Sequence, residues 1–247
     1  MENAIEHAIE VKNLSKNYYF FEQDFRILQW LFTKKGYAKE RQVLKNLSFQ
    51  VRKGEIVGLI GVNGAGKSTL MKLIAGITYP TSGEVEVNGK VGSLINLSAG
   101  FNNDYTGRKN IYYKGTIMGM SKTEIDGIID DICDFVELDE YFEQPLRMYS
   151  SGMAARLGFA LAVYSNPEVL IIDEVLAVGD KNFQKKSRQK VVEMFEDGRS
   201  VIFSSHSDEL IRKFCSRVIY LKGGRIVYDG DVEEGLLKYN EDIKRKN

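Results

Sequence analysis

Nine consecutive residues, Gly61-Val62-Asn63-Gly64-Ala65-Gly66-Lys67-Ser68-Thr69, carry the glycines, the lysine and the hydroxyl of the pattern G-x-x-x-x-G-K-[ST]. Glycines let backbone N–H groups come close to phosphate oxygens, and the dipole of the helix that follows adds favourable partial charge. Lys67 then reaches the β- and γ-phosphates of a nucleotide, and the Ser68 hydroxyl is placed to ligate Mg²⁺. The flanks are those the pattern needs: an apolar run, Ile56-Val-Gly-Leu-Ile60, comes before it, and a helical start, Leu70-Met-Lys-Leu-Ile-Ala75, comes after. A ligand-free glycine turn needs neither flank. A bound nucleotide is the expectation.

Two other apolar runs end in residues able to work on that nucleotide. Val169-Leu-Ile-Ile172 leads into Asp173-Glu174, which puts two carboxylates at the carboxyl edge of a sheet, where open α/β folds bind ligands. Asp173 suits the Mg²⁺ shell, and Glu174 is available to orient and polarise an attacking water. Val201-Ile-Phe203 leads into Ser-Ser-His206. His206 is expected on the same edge, hydrogen-bonding a γ-phosphate; the other histidine, His7, is close to the N-terminus. A fourth stretch, Tyr149-Ser150-Ser151-Gly152-Met153, opens a helical pattern with Met153, Leu157, Leu161 and Tyr164 on one face and Asn166-Pro167 as its stop. A serine there either caps its own helix or joins the helix end in holding an anion. The local residues leave both readings open.

These groups need a scaffold, and the periodicity describes one. Ile9–Leu14, Val43–Val51 and Glu84–Val87 alternate as half-buried strands, and two more alternating runs flank Gly223-Gly224 as a hairpin. The runs at 56–60, 169–172 and 201–203 are continuously apolar, as inner strands of a parallel sheet covered on both faces are. Residues 102–165 hold helical patterns, among them 124–135. The expected architecture is one α/β domain over 1–247. It has a core with a mostly parallel sheet and an antiparallel flank (1–101 and 166–235), a helical insertion (102–165) and a tail (236–247).

Composition narrows the partners. The chain has 247 residues, and its 34 basic and 34 acidic side chains cancel, so no bulk field draws it to nucleic acid. Two cysteines, Cys133 and Cys215, have no metal-like spacing and suit a reducing compartment. The N-terminal stretch lacks a basic region followed by an apolar run, and no segment approaches the roughly 18 apolar residues of a membrane span. A cytosolic protein, or the cytosolic subunit of a larger one, is expected.

Taken together, the four motifs resemble the ATP-binding cassette ATPases, and the resemblance covers nearly the whole chain. It implies the P-loop nucleotide-hydrolase fold, with ATP and Mg²⁺ as ligands. YSSGM stands where that family has its LSGGQ signature: Ser150 and Gly152 match, Ser151 and Met153 depart. The resemblance implies that Ser150, Ser151, Gly152 and Met153 contact the nucleotide of a second copy of the chain. It places a dimer-contacting D-loop at Ala177-Val178-Gly179-Asp180 and an adenine-stacking aromatic at Tyr18, with Tyr19 as the neighbouring alternative. The family's glutamine loop has no glutamine in Gly92–Phe101, where Asn96 or Ser98 stands nearby.

The strings YSSGM-AARLGFALA, DEVLAVGD-KNF and LSAGF…TGRKNI are similar to exporters of lipid-linked bacterial glycopolymers. That implies a polytopic permease partner, a lipid-linked polymer as cargo and a place at the cytoplasmic face of the membrane. Teichoic acid is favoured by the LSAGF string and the short stretch after the cassette, with O-antigen and capsular polysaccharide as alternatives. A soluble P-loop ATPase unconnected with transport is the competing class. The segment 19–42 is expected as an amphipathic insertion: Phe21, Phe25, Leu28 and Phe32 share one helical face, opposite Trp30, with Lys34-Lys35 at its end. It either covers the domain or lies under a membrane.

Overall fold

In the computed structural model, residues 7–21, 38–173 and 179–245 are described. Their strands are β1 (His7–Phe21), β2 (Ala38–Arg52), β3 (Ile56–Ile60), β4 (Ser82–Val87), β5 (Val91–Ser93), β6 (Val169–Ile172), β7 (Ser200–Phe203), β8 (Arg217–Lys222) and β9 (Arg225–Gly230). The helices are α1 (Lys67–Ile74), α2 (Gly107–Ile117), α3 (Lys122–Asp126), α4 (Ile129–Val136), α5 (Ser151–Tyr164), α6 (Lys181–Glu196), α7 (Asp208–Phe214) and α8 (Val232–Lys244). The described residues group into two compact units. One takes those of Met1–Arg52, Val57–Val87 and His206–Asn247; the other takes those of Lys53–Ile56 and Asn88–Ser205.

In the first unit, β1 pairs antiparallel with β2 on one side and β4 on the other, giving the order β2-β1-β4. Ile9, Val11, Leu14, Leu44, Leu47 and Val51 are buried there, each contributing about 1.5–3 kcal/mol relative to exposure. The hairpin is longer than its alternation suggests. The ladder runs out to Phe21 and resumes at Ala38, so both ends of the expected 19–42 insertion are strand. Tyr18, Tyr19 and Phe20 are good strand formers. Irregular register between Val11 and Asn17 hides them, because it breaks the period-2 pattern that would have marked the extension. Phe25, Leu28, Trp30, Phe32, Lys34 and Lys35 lie outside the described residues.

The same unit holds a second ladder, β3 parallel to β8 and β8 antiparallel to β9 across Gly223-Gly224. α8 occupies the residues expected as a tail. It buries Leu236 and Tyr239, and the Tyr220 hydroxyl donates to Asp242 at 2.8 Å. Apolar residues every three or four positions make that segment a packed helix.

The second unit is built on the parallel ladder β5-β6-β7. Every residue of β6 and β7 is buried, as continuous apolar runs require. The helical pattern at 124–135 is split at Gly127-Ile128 into α3 and α4. Ser121 and Glu124 cap α3 reciprocally, and α3 ends at Gly127. α5 is buried on all sides from Leu157 to Val163, wider than the single expected stripe. Residues 88–101 and 166–205 group with these helices rather than with the first unit. No helix among the described residues is long and apolar enough to cross a membrane.

Candidate functional site

The glycine-rich loop follows the last residue of β3 and turns directly into α1. Gly66 forms the cap of that helix with φ 109°, and a Cβ there would come 2.6 Å from Leu44 Cδ2. Only glycine takes both that backbone and that approach. α1 starts without a side-chain cap and without an acidic residue in its first turn, so no carboxylate of that turn competes with a bound anion for the positive end of the helix. The loop is propped from behind: Gly224 N–H donates to the Ala65 carbonyl at 3.2 Å, and Lys45 N–H donates to the Gly224 carbonyl at 2.8 Å. The β8–β9 turn thus ties the loop to β2, a role the two glycines do not advertise in the sequence.

Lys67 is almost fully buried, its amine donating to the carbonyls of Gly61 and Val62. Ser68 is exposed and Thr69 half-buried. Above them lies a cleft of about 220 Å³ lined by Arg41, Val43 and residues 62–69. Arg41 and Val43 were not among the residues expected from sequence; they enter because β2 lies beside the loop. Tyr18 is half-buried directly across the ladder from Arg41, with the Lys16 ammonium 5.1 Å from its ring centre. The alternative, Tyr19, is exposed, its hydroxyl 3.4 Å from the Glu40 carboxylate. His206 is exposed after β7, next to Ser207, whose hydroxyl caps α7.

Asp173 stands half-buried immediately after β6. Glu174, Ala177 and Val178 lie outside the described residues. Ser150 is the cap of α5, its hydroxyl accepting from Met153 N–H at 3.2 Å; Ser151 is exposed, and Gly152 and Met153 are half-buried. Gly179 leads into Asp180, which caps α6 by accepting from Asn182 and Phe183 N–H, each at 3.0 Å. Those amide bonds, the Phe183 one first, and the Arg156 guanidinium hold the Asp180 carboxyl below its ordinary range. Arg156, on α5, pairs with Asp180 and lies 5.0 Å over the Phe183 ring, joining the YSSGM helix to the residues after 178. In the loop after β5, Asn96 is exposed with φ 52°, its carbonyl accepting from Ala99 N–H, and Ser98 is exposed.

Residues 44–177 match the ABC transporter family. The chain is 41% identical over 98% of its length to the teichoic acids export ATP-binding protein TagH of Bacillus anthracis, and covers 44% of that protein. It is 37% identical over 97% of its length to TagH of Staphylococcus haemolyticus (strain JCSC1435), and covers 92% of it. The chain spans about half the length of the first curated relatives it matches, between 44% and 54%. Among solved structures, a dimeric post-hydrolysis state of the ATP-binding cassette MJ0796 bound to ADP and Pi superimposes with a TM-score of 0.68 at 24% identity, over 91% of this chain and 98% of that one. The α/β fold of P-loop nucleotide hydrolases is therefore shared.

Proposed function

This chain belongs to the ABC transporter family, and on that footing we propose that it is the ATP-binding and ATP-hydrolysing subunit of an exporter of a lipid-linked glycopolymer, teichoic acid first. The observation that carries the reading is the cleft over residues 62–69, where a helix start without a side-chain cap and Lys67 converge. The cargo rests on the likeness to the teichoic acid export proteins.

Backbone N–H groups of residues 61–66 and the start of α1 hold the β-phosphate, and Lys67 exchanges its loop carbonyls for β- and γ-phosphate oxygens. Ser68 and Asp173 offer a hydroxyl and a carboxylate, the hard oxygen donors that suit Mg²⁺, an ion that otherwise keeps water and phosphate oxygens. Bound there, Mg²⁺ neutralises charge on the phosphates. Glu174 orients and polarises the attacking water, and His206 hydrogen-bonds the γ-phosphate. Ser150, Ser151, Gly152 and Met153 act on the nucleotide of a second copy, with residues 177–180 at the contact between copies. The pair works beneath a polytopic permease at the cytoplasmic face of the membrane.

Calorimetry of the purified chain with MgATP, with phosphate release alongside, tests this. The parent binds and turns over slowly, Lys67→Ala loses binding, and Glu174→Gln binds without turnover and accumulates as a dimer. Undiminished hydrolysis by Glu174→Gln removes that residue from its role, and full affinity in Lys67→Ala removes the loop from its own. Co-purification of a polytopic membrane protein tests the exporter half; its absence from membrane extracts favours the soluble ATPase class.

A further inference from the structure

The cleft over the glycine-rich loop has one cationic wall that the loop does not supply. Arg41 lies on β2, is exposed, and borders the same cleft as residues 62–69. The acidic side chain next to it, Glu40, is engaged by the Asn17 amide and approached by the Tyr19 hydroxyl. Arg41 also faces Tyr18 in register across an antiparallel ladder, which puts both side chains on one face of the sheet.

Size and charge then assign the parts. A cleft of about 220 Å³ falls short of the roughly 300–1,000 Å³ that encloses a whole small ligand. It takes the polyphosphate, and the sugar and base continue over its rim. On the side of Tyr18 that rim is β2, and the group offered there is a planar guanidinium with five donors, matched to phosphate oxygens. Val43, two residues on, provides an apolar wall beside it. We infer that Arg41 is a nucleotide-binding residue whose guanidinium takes the α-phosphate and ribose, between the phosphates on residues 62–69 and the base on Tyr18. The inference rests on the nucleotide reading above and extends it to a residue outside the loop.

Titration of MgATP and of MgADP into the full chain, at low and at high salt, tests it with Arg41→Gln and Arg41→Lys beside the parent and Lys67→Ala. Arg41→Gln weakens both nucleotides alike, by about tenfold, as loss of one partly exposed charge-assisted contact does. Arg41→Lys stays within about threefold of the parent, because a point charge keeps part of the attraction. The salt dependence of affinity is shallower in Arg41→Gln than in the parent, a change that a purely structural role does not produce. Affinity for both nucleotides within about twofold of the parent in Arg41→Gln overturns the inference while leaving the nucleotide site intact. A loss confined to MgATP overturns the α-phosphate assignment and moves the contact to the γ-phosphate. A parent that binds neither nucleotide, or a Lys67→Ala variant that binds like the parent, overturns the nucleotide reading and this inference with it.

Discussion

The amine of Lys114 lies 2.8 Å from the carbonyl oxygen of Leu97 and 4.5 Å from the centre of the Phe101 ring. The same carbonyl backs onto α5, where a Cβ on Gly158 would come 2.0 Å from it. α2, α5 and the loop after β5 therefore meet at one backbone oxygen. The loop that carries Asn96 and Ser98 is held on one side by a half-buried cation and on the other by a residue with no side chain.

Burial pushes Lys114 down from 10.5 to about 8, and this makes stability depend on pH with a definite sign. Below pH 8 the amine is charged in both folded and unfolded chains, and the folded state bears the whole cost of burying it. Between pH 8 and 10.5 the unfolded chain holds the proton and the folded chain does not, so this residue adds stability as pH rises, by up to about 1.4 kcal/mol per unit. Cys215, pushed by burial to about 12, works in the opposite direction above pH 9, but it does so equally in parent and variant. Urea unfolding of the parent and of Lys114→Met at pH 7 and pH 10 isolates the lysine. The difference shifts towards the parent at pH 10 by about 1–3 kcal/mol; a pH-independent difference places the amine in water.

Gly158→Ala is expected to be among the most damaging single-methyl additions in the second unit. The clash is with backbone at 2.0 Å, and neither Leu97 nor the interior of a buried helix yields cheaply. A loss of about 1–3 kcal/mol or more is expected, read by urea unfolding, with increased protease cutting in 94–101 if the loop gives way instead. A variant as stable as the parent with an unaltered cleavage pattern contradicts the packing.

What could be read from sequence were the places where local chemistry and local period agree. Val169–Ile172 is apolar without interruption and ends in Asp173, so strand, burial and polar end all follow from five letters. β5 escapes the same reading because Val91–Ser93 is three residues long, too short to show a period. Arg41 escapes for another reason. Its place in the cleft depends on its pairing with Tyr18, and the irregular register between Val11 and Asn17 puts that pairing beyond a count of alternating residues. The Arg156–Asp180 pair joins residues 24 apart through a connection that no pattern describes, and Lys114 carries no local sign of burial. Long-range register and close packing, rather than composition, set these contacts.

Asp180 does two jobs that substitution can separate. It caps α6 through two backbone N–H groups and pairs with Arg156 on α5. Asp180→Asn keeps a capping oxygen and loses the charge, whereas Asp180→Ala loses both. Exposed pairs contribute little and caps more, so the alanine variant should lower the melting temperature by about 2–4 °C and the asparagine variant by less. Equal shifts assign the contribution to the ion pair. Phosphate release measured on the same two proteins reports whether the residue also serves the contact between copies.

Ser150 allows the sharpest test of a site shared between two chains, because its structural role is known and can be preserved. Its hydroxyl accepts from Met153 N–H at 3.2 Å, so alanine or arginine there confounds a lost cap with a lost ligand contact. Aspartate caps a helix as well as serine does and sets a negative charge where the proposed dimer would bring the partner's γ-phosphate. Ser150→Asp should fold and bind MgATP like the parent, since its own loop is intact, yet fail to hydrolyse. Lys67→Ala has the complementary defect: a sound YSSGM end and a failed loop. Mixed in equal amounts, half the dimers carry one chain of each kind, and in those one of the two sites combines a sound loop with a sound helix end. Activity of about a quarter of the parent's is expected from two inactive proteins if the sites fire independently. Background activity while mixed dimers form, as seen by crosslinking of differently tagged chains, contradicts a site built from both copies that works alone. Hydrolysis by Ser150→Asp on its own removes Ser150 from the site altogether.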